Sequence, residues 1–492
     1  MASRPDVVIA GAGPAGSSAC NLLARLGFSV LLLEKSEFPR YRIGESLTPS
    51  ILPVLDFLEL GEAVGNGGFL RMPGHIVCWG SPEPRIGYYS ADKSRTGFQV
   101  WRESFDNILL ENARRQEGVE IRTGVTVNGV DLDRAGVVVH AARHGPIRAR
   151  FFVDATGHTG ILARLDLRRR DRHFRTLGIT GYWQGAGGPD GDDFANTMLE
   201  AYENGVVWSV PLANGLRNVT VLVDWSQGKN IREQGLHRFY QAEMGRLSYV
   251  SRFLAGASLS RPPHVSDATL YTARRFADKR FLLLGDAGLF IDPLSSEGVQ
   301  TAMASAITSA AVINTILTRP AAADHALTFY HDAQESAYST HYRQSVEYYE
   351  QEKRWPDLTF WRKRQGLSTA LTSRNGNAEA RPMKPPSEVS HVRVAPDVRL
   401  EHRPVLEWPY INRREVLVSE TNARGLRFLH GICVPTLLRQ IRKKPAIADI
   451  ISGYLKSAEG RNSDSGKVRS ALVRLYRDGV LIAIESRESQ SG

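Results

Sequence analysis

The sequence predicts an α/β fold in three parts: a Rossmann-like domain around a parallel sheet, a domain built on an antiparallel sheet, and a mainly helical C-terminal extension. Residues 6–10 have the unbroken apolar pattern of a buried strand, and a glycine-rich turn and a helical stretch follow them at once. Between residues 171 and 275, several stretches alternate in the way that is typical of antiparallel strands. Beyond residue 430, short amphipathic segments predict helices.

These patterns divide the 492 residues into segments. The predicted segments are the Rossmann-like domain at 1–170 and 276–330, the antiparallel sheet at 171–275 with contributions from 69–101, a helix and linker at 331–400, and a helical, winged-helix-like module at 401–492. The linker is predicted from its many Asn, Pro, Ser and charged residues.

The composition is that of an ordinary globular protein, with 42% hydrophobic and 23% charged residues. We find no unbroken apolar run of the roughly 18 residues that a membrane span needs, so we expect no membrane contact. The three cysteines are far apart in the sequence and form no metal-spaced cluster, which predicts buried thiols, no metal site and a cytoplasmic location. The net charge of +10 is concentrated in residues 405–492, which contain fifteen basic and nine acidic residues. This basic segment suits an acidic protein, nucleic acid or solvent alone.

The first motif is the turn Gly11-Ala12-Gly13-Pro14-Ala15-Gly16 between a strand and a helix. Gly11 permits the tight turn, Gly13 lets the backbone approach a pyrophosphate, and Gly16 lets helix and strand pack closely. The helix start at Pro14 and Ala15 attracts phosphate charge. A second strand ends at Glu34, next to Lys35, where a carboxylate can accept hydrogen bonds from ribose hydroxyls. The motif therefore predicts a dinucleotide site, and it leaves NAD and FAD open.

A second segment favours FAD. The predicted strand at 280–284 runs into Gly285-Asp286-Ala287, and Pro293, Gly298 and Val299 follow at the start of a small-residue helix. This pattern resembles the GR2-type FAD monooxygenases and halogenases, a likeness that implies that Asp286 holds ribityl or ribose hydroxyls. The likeness also implies that the helix after Gly298 directs its positive end to the flavin, and that Arg102 lies beside the cofactor.

A narrower resemblance comes from the segment from Phe38 to Leu47, Phe-Pro-Arg-Tyr-Arg-Ile-Gly-Glu-Ser-Leu. It is similar to the flavin-covering strap of flavin-dependent halogenases that act on phenols, pyrroles and carrier-bound substrates, and it implies that Arg42, Gly44, Glu45 and Ser46 contact the flavin. The stretches 205–211 and 290–294 also resemble that family. The family implies natural-product biosynthesis, molecular oxygen as co-substrate and a separate flavin reductase.

The sequence departs from the halogenase pattern at residues that handle halogen. In the family, a lysine donates a hydrogen bond to hypohalous acid or forms a haloamine, and the resemblance puts Met72 at that position. Methionine has no N–H and is itself oxidised to the sulfoxide. Val206 replaces a tryptophan, and Glu297 stands beside the glycine where the family binds halide. An inward-facing Glu297 would repel halide by about 1 to 4 kcal/mol at contact distance.

These departures predict an oxidoreductase without halogenating activity. It acts as a monooxygenase, by hydroxylation or N-oxidation, or as an oxidase or dehydrogenase, on an aromatic or carrier-bound substrate. The predicted proton-handling residues are Glu297, Glu45 and His75, and the predicted substrate-pocket residues are Trp208, Pro211 and Tyr182.

Two alternatives stay open: a true halogenase with a substitute for the missing lysine, and a flavin-sensing DNA-binding regulator. A redox domain in the same chain makes nucleic-acid binding the less favoured use of the basic module. An extension that closes the substrate pocket, or that docks an acidic carrier protein, is favoured instead.

Overall fold

The computed structural model describes residues 4–133, 136–162, 167–187, 192–368 and 389–484. The chain divides into two compact units. The first unit contains Met1–Pro320 and Ala333–Gly376, and the second contains Ala321–Asp332 and Asn377–Gly492.

A five-stranded parallel sheet forms the base of the first unit. Four of its strands are short, mainly apolar runs that are buried on both faces, as is typical of parallel sheets, and the edge strand Val119–Arg122 is partly exposed. Their order across the sheet is Phe281–Leu283, Phe151–Asp154, Val7–Ala10, Val30–Leu33 and Val119–Arg122. Helix α1 (Pro14–Arg25) follows the central strand and packs against α2 (Arg102–Arg114) and α3 (Gly298–Thr318).

The glycine-rich turn lets α1 begin directly at the end of the central strand. Gly11 has a φ of +102°, a conformation that side chains disfavour. A Cβ there would lie 2.3 Å from the Ala155 carbonyl oxygen, so the neighbouring strand end also closes on this residue. The turn is therefore a fixed part of the sheet edge.

The second layer of this unit is a larger, mostly antiparallel sheet. Its main path runs through Ser258–Leu259, Thr176–Gln184, Leu216–Asp224, Gly205–Pro211, Thr197–Tyr202, Gly74–Cys78 and Arg85–Tyr88, and His264–Asp267 pairs with the second of these. The 74–88 region thus joins the sheet formed by 176–267. The pair between Thr197–Tyr202 and Gly74–Cys78 is parallel, and the other pairs are antiparallel.

Smaller elements complete the first unit. Three-stranded sheets comprise Ile147–Ala149, Gly136–Ala141 and Val127–Asp133; Arg168–Arg170, Tyr271–Ala273 and Leu289–Phe290; and Ser46–Leu47, Gly97–Gln99 and Leu70–Met72. Short helices span Leu52–Phe57, Gly61–Gly65, Gly228–Gln234, Leu236–Met244 and Thr359–Arg362. A long helix, α4, runs over Ala323–Glu350, and its residues from Ala333 onward belong to the first unit.

By length and composition, α3 is the one helix in the described part of the chain that could cross a membrane. However, 67% of its most apolar window is buried inside the fold. Core helices of soluble proteins can likewise be long, apolar and mostly buried.

The second unit encloses its own apolar core. Strand Val392–Val394 pairs with Leu481–Ala483, a hairpin joins Arg399–Glu407 to Tyr410–Val418, and Phe428–Leu429 pairs with Ile432–Cys433. Helices span Val434–Lys443, Ile447–Leu455 and Ser465–Arg477. The core includes Leu437, Ile450, Tyr454, Leu472 and Leu475.

The second unit differs from the sequence prediction in two places. Residues 401–418, predicted as part of a helical module, belong to the hairpin, and its second strand directs Ile411, Val416 and Val418 away from solvent. The last helix, predicted to run to Leu481, ends at Arg477. Gly479 has a φ of +75°, and this turn releases the following residues to pair as a strand.

Substitution of Gly16 should damage the fold, whereas substitution of Gly13 should not. A Cβ on Gly16 would lie 1.9 Å from the Gly11 carbonyl oxygen, but a Cβ on Gly13 meets only the Arg40 Nη2 atom at 3.5 Å. We expect Gly16→Ala to lower the free energy of unfolding by about 3 kcal/mol, and Gly13→Ala by less than about 1 kcal/mol. Urea denaturation of the FAD-free proteins measures both. Equal midpoints for the two variants would contradict the close approach.

Candidate active site

A cavity of about 690 Å³ opens at the carboxyl ends of the parallel strands. Most of the predicted cofactor residues line it: Gly11, Gly13, Pro14, Ala15, Glu34, Lys35, Arg42, Gly44, Glu45, Ser46, Arg102, Asp286, Pro293, Gly298 and Val299. Gly16 and Gly285 do not line it. They lie behind the wall, where a Cβ on Gly285 would be 3.0 Å from the Ala15 Cβ. The structure therefore brings the glycine-rich turn, the strap and the start of α3 to one site, which we call the first cavity.

Glu34 is fixed at the end of its strand beside the glycine-rich turn. Its Oε2 accepts a hydrogen bond from the Ala12 backbone N–H at 2.8 Å, and its Oε1 accepts one from the Ser36 N–H at 3.0 Å. The buried Arg40 lies 3.8 Å from Glu34 and also lines the cavity. Sequence reasoning did not select Arg40, although it lies within the strap motif. Glu34 therefore offers a hydrogen-bond acceptor, and Arg40 a positive charge, at the place where a dinucleotide would bind.

Arg102 ties the strap to α2. Its guanidinium donates to both oxygens of Asp106, at 2.8 and 3.0 Å, and to the Ile43 carbonyl oxygen at 2.5 Å. Burial by itself would lower the pKa of Arg102, but Asp106 outweighs this effect and raises it. The arginine therefore stays charged while it holds the strap backbone.

Glu45 is held by three donors. The Tyr182 hydroxyl and the Asn218 amide donate to its Oε1, the latter at 3.0 Å, and the Gly44 N–H donates to its Oε2 at 2.8 Å. Burial, together with the Glu45 charge, raises the pKa of Tyr182, so the phenol keeps its proton. Through these contacts, Glu45 links the strap to the large sheet at the edge of the first cavity.

Asp286 lies at the cavity wall and is partly exposed there. Burial raises its pKa, although His158 and Arg102 partly offset this, and none of the hydrogen bonds in the described part of the chain reaches its carboxylate. The Trp208 indole N–H, also at the cavity wall, has no hydrogen-bond partner in the described part of the chain. Unused buried polar groups signal a missing partner. A cofactor with ribose and ribityl hydroxyls and a polar ring would supply one.

The predicted substrate residues separate in the structure. Trp208 lines the first cavity, whereas Tyr182 and Pro211 line neither of the two cavities described here. Tyr182 is instead packed behind the strap, where its hydroxyl serves Glu45. Pro211 ends its strand with its side chain buried. Along its strand, Pro211 is out of phase with Trp208, whereas Tyr182 lies on the same strand face as Gly178 and Thr180, which line the first cavity. That Tyr182 and Pro211 contact the substrate stays a prediction.

A second cavity, of about 350 Å³, adjoins the first, and Ser296 lines both. The predicted residues Glu297 and His75 line the second cavity, together with His341, Tyr89 and further residues. The His341 Nδ1 lies 3.5 Å from the Glu297 Oε2. Burial lowers the pKa of both histidines, although Glu297 partly offsets this for His341. The site thus combines one carboxylate with two neutral imidazoles.

Sequence reasoning missed His341. The residues His341, Gln344, Ser345 and Tyr348 follow the i, i+3, i+4, i+7 spacing of one helix face, and all four line the second cavity. A polar and aromatic stripe of this kind on a long helix is the signal that would have found it. Sequence alone does not show what that face meets.

Met72 lies in the wall between the cavities. It is completely buried, and its sulfur accepts hydrogen bonds from the Ser46 and Thr197 hydroxyls at 3.3 and 3.0 Å. Ser46 lines the first cavity and Thr197 lines the second, while Met72 lines neither. Its neighbour Arg71 is exposed on the opposite side of the strand, with its guanidinium over the Phe98 ring.

Replacement of Arg102 should weaken FAD binding. Arg102→Lys keeps the charge but loses the two-pronged contact with Asp106 and the bond to the strap. We expect the Kd for FAD to rise by about tenfold or more, or about 1.4 kcal/mol. Arg114→Lys, at an exposed position of the same helix, is the matched control. Titration of the FAD-free proteins by flavin fluorescence measures both. An unchanged Kd for Arg102→Lys would show that the strap does not depend on this arginine.

Comparison with known families agrees with this geometry. Residues 4–345 match the family model described as "FAD binding domain". A "Tryptophan 2-halogenase" from Chondromyces crocatus is 34% identical over 327 residues, which cover 64% of this chain and 62% of that relative. A "Flavin-dependent halogenase armH3" from Armillaria mellea is 32% identical over 367 residues, which cover 68% of this chain and 72% of that relative. The match thus spans less than two thirds of the first of these relatives.

Solved structures extend the likeness. The flavin-dependent halogenase CmlS superposes with a TM-score of 0.81 at 26% identity, covering 99% of this chain and 97% of that one. The peptidyl tryptophan dihydroxylase QhpG shares the fold, with a TM-score of 0.69 at 24% identity over 97% of this chain and 100% of that one. The residues around the first cavity fit FAD, and the predicted cofactor is confirmed. With its family match, its relatives and this cavity, the chain belongs to the flavin-dependent halogenase family and is an FAD-dependent oxidoreductase.

Proposed function

We propose that this protein oxidises a small organic substrate directly in the second cavity and does not halogenate it. The pair Glu297 and His341 carries the proposal, because it occupies the cavity that shares Ser296 with the FAD site. FAD supplies the oxidising chemistry, with molecular oxygen as co-substrate. The proposed reaction is hydroxylation or N-oxidation, or hydride removal as in an oxidase or dehydrogenase.

The charge of the second cavity disfavours halide. Glu297 is its carboxylate, and no lysine or arginine is among the described residues that line it. A carboxylate repels an anion by about 1 to 4 kcal/mol at contact distance, depending on the local dielectric. The neutral histidines do not offset that repulsion. Hypohalous acid chemistry would therefore lack both a halide site and a cationic N–H donor here.

The packing of Met72 supports the same proposal. If the family's lysine position is Met72, an ammonium there would enter a site whose polar contacts are two hydroxyls. A buried charge without a carboxylate partner is strongly disfavoured. The wall between the cavities is thus shaped for a neutral thioether, and the thioether would itself consume hypohalous acid.

The chain's own residues would bind the substrate and handle its proton. His341 directs its buried Nδ1 to Glu297, so the tautomer with a proton on Nδ1 would leave Nε2 as the nitrogen that accepts a proton from a substrate O–H, N–H or C–H. Glu297, at 3.5 Å, would stabilise the resulting imidazolium. His75 and Tyr89 lie at the same cavity and offer further hydrogen-bond partners. Glu45 is better placed to hold the strap than to move a proton, because three donors already engage it.

The proposed external partners are a small aromatic or carrier-tethered substrate and a separate flavin reductase. The basic C-terminal segment is the proposed docking site for an acidic carrier. Exposed arginines of the second unit, including Arg413 and Arg414, are consistent with that role.

A halide test separates direct oxidation from halogenation. Reduced holoenzyme is mixed with oxygenated buffer, with and without bromide, in the presence of monochlorodimedone, which reports hypohalous acid by loss of its absorbance. We expect the rate of flavin reoxidation to be unaffected by bromide and no bromide-dependent loss of monochlorodimedone, because the Glu297 carboxylate disfavours halide in the second cavity. Bromide-dependent consumption of monochlorodimedone would overturn the proposal and favour a halogenase with a substitute base.

The electrostatic state of His341 can be measured without substrate. In ¹³C-histidine-labelled protein, we expect the His341 signal, assigned by its loss in His341→Gln, to titrate below the ordinary value of about 6.5. Glu297→Gln should lower this pKa further, since it removes the charge that stabilises the imidazolium. The other groups that face His341 across the cavity are His75, Tyr89 and Tyr348. The exposed His237 should not shift in Glu297→Gln. A His341 pKa that is above 6.5, or that Glu297→Gln leaves unchanged, would contradict the pairing.

A further inference from the structure

The carboxylate of Glu297 is not used to stabilise its own helix. Glu297 is the N-cap residue of α3, a position where acidic side chains commonly accept a hydrogen bond from the first turn, yet its side chain makes no such bond. Ser296, just before it, has a φ of +53°, a conformation that is unfavourable for a residue other than glycine. This turn directs the carboxylate to the second cavity.

The charge of Glu297 is not neutralised by the protein. Within the part of the chain that the structure describes, its only ionic neighbour is His341, at 3.5 Å, and that imidazole is neutral because burial lowers its pKa. The field of Glu297 extends across the cavity to Tyr89, whose pKa is raised to about 12 by burial and by this carboxylate. The second cavity thus has an uncompensated negative charge at one end.

Part of the remaining wall fits a flat apolar group, and the rest carries hydroxyl and amide side chains. Val77, Leu199 and Leu294 line the cavity beside the Tyr89 and Tyr348 rings. Its volume of about 350 Å³ is at the lower end of the roughly 300–1,000 Å³ range of small-molecule sites. One ring with a short polar arm fits these dimensions. A cation on that arm would pair with Glu297 in a partly desolvated site, whereas an anion would be repelled.

We propose that the second cavity selects an organic substrate with a protonated amine or other cationic nitrogen, which Glu297 binds while an aromatic or apolar body packs against the tyrosine and leucine walls. This substrate class rests on the proposed function, since it takes the second cavity as the place where the substrate binds. It deepens that function by assigning Glu297 as a residue that determines specificity. The His341 imidazole, whose Nδ1 faces Glu297, lies at the same end of the cavity.

Three probes of similar size and different charge test the substrate class: 2-phenylethylamine, 3-phenylpropionate and 2-phenylethanol. Equilibrium dialysis of the FAD-loaded protein gives the Kd of each without turnover. We expect the amine to bind at least tenfold more tightly than the carboxylate, with the alcohol between them. A tenfold ratio corresponds to about 1.4 kcal/mol.

Two variants assign the preference to Glu297. In Glu297→Gln the ratio of amine to carboxylate affinity should fall below about threefold. Glu347→Gln removes an equal charge from an exposed position on α4, away from the cavity lining, and it should keep the wild-type ratio. Retained FAD content and an unchanged unfolding midpoint show that each variant is folded.

The possible results test the substrate class and the proposed function separately. Equal or weaker binding of the amine, no binding of any probe, or a preference that survives Glu297→Gln would overturn the substrate class. Product analysis after reduction and oxygenation in the presence of the amine tests the proposed function separately. If the amine binds through Glu297 but no oxidised product forms, the proposed function fails and the assignment of the binding site stands.

Discussion

The active site depends on Asp106, a fully buried carboxylate shared by two arginines. Arg102 meets it with two hydrogen bonds from within the same helix, and Arg40 reaches it from the strap at 3.1 Å. A buried charge is stable only where partners surround it, and removal of one partner costs about 3 to 5 kcal/mol. Asp106 therefore enforces the position of the strap: if Arg40 or Arg102 leaves, the helix retains an unpaired charge. Arg40 also lies near Glu34, so this cluster connects α2, the strap and the end of the second strand.

The strap in turn determines how the two cavities are separated. Its end, Ser46, donates to Met72, and Thr197 in the large sheet donates to the same sulfur. The strap, a short strand and the large sheet thus meet at one thioether. On the other side of this wall, Ser296 belongs to both cavities, because the chain turns there before α3 begins. The two cavities therefore approach each other at Ser296 and are separated by a buried, uncharged side chain at Met72.

Much of the FAD site could be predicted from the sequence, because local rules place it. A strand, a glycine-rich turn and a helix must form the observed geometry, and Glu34 must follow the second strand. Asp286 and the start of α3 needed the family pattern. The second cavity was harder to predict, since it collects residues from distant segments: His75, Glu297 and His341 meet only in the folded chain. The role of Tyr182 also depended on tertiary packing, because only the folded chain brings its hydroxyl to Glu45 of the strap. In the second unit, the hairpin at 399–418 was missed, because weakly alternating, arginine-rich strands lack a strong period-two pattern.

The two cavities are subject to different constraints, and this explains how one family fold can change its chemistry. Residues around the first cavity also stabilise the fold. Gly11 and Gly16 pack closely against backbone atoms. Arg102, Glu34 and Glu45 each form hydrogen bonds with the protein. Substitutions there damage folding and cofactor binding together. Glu297 is different, because its side chain is one third exposed, makes no capping hydrogen bond to α3 and forms its ionic contact with His341. A change at such a position would alter the charge of the proposed substrate site at little cost to the fold. Chemistry in this protein is therefore free to diverge at the second cavity while the FAD machinery stays fixed.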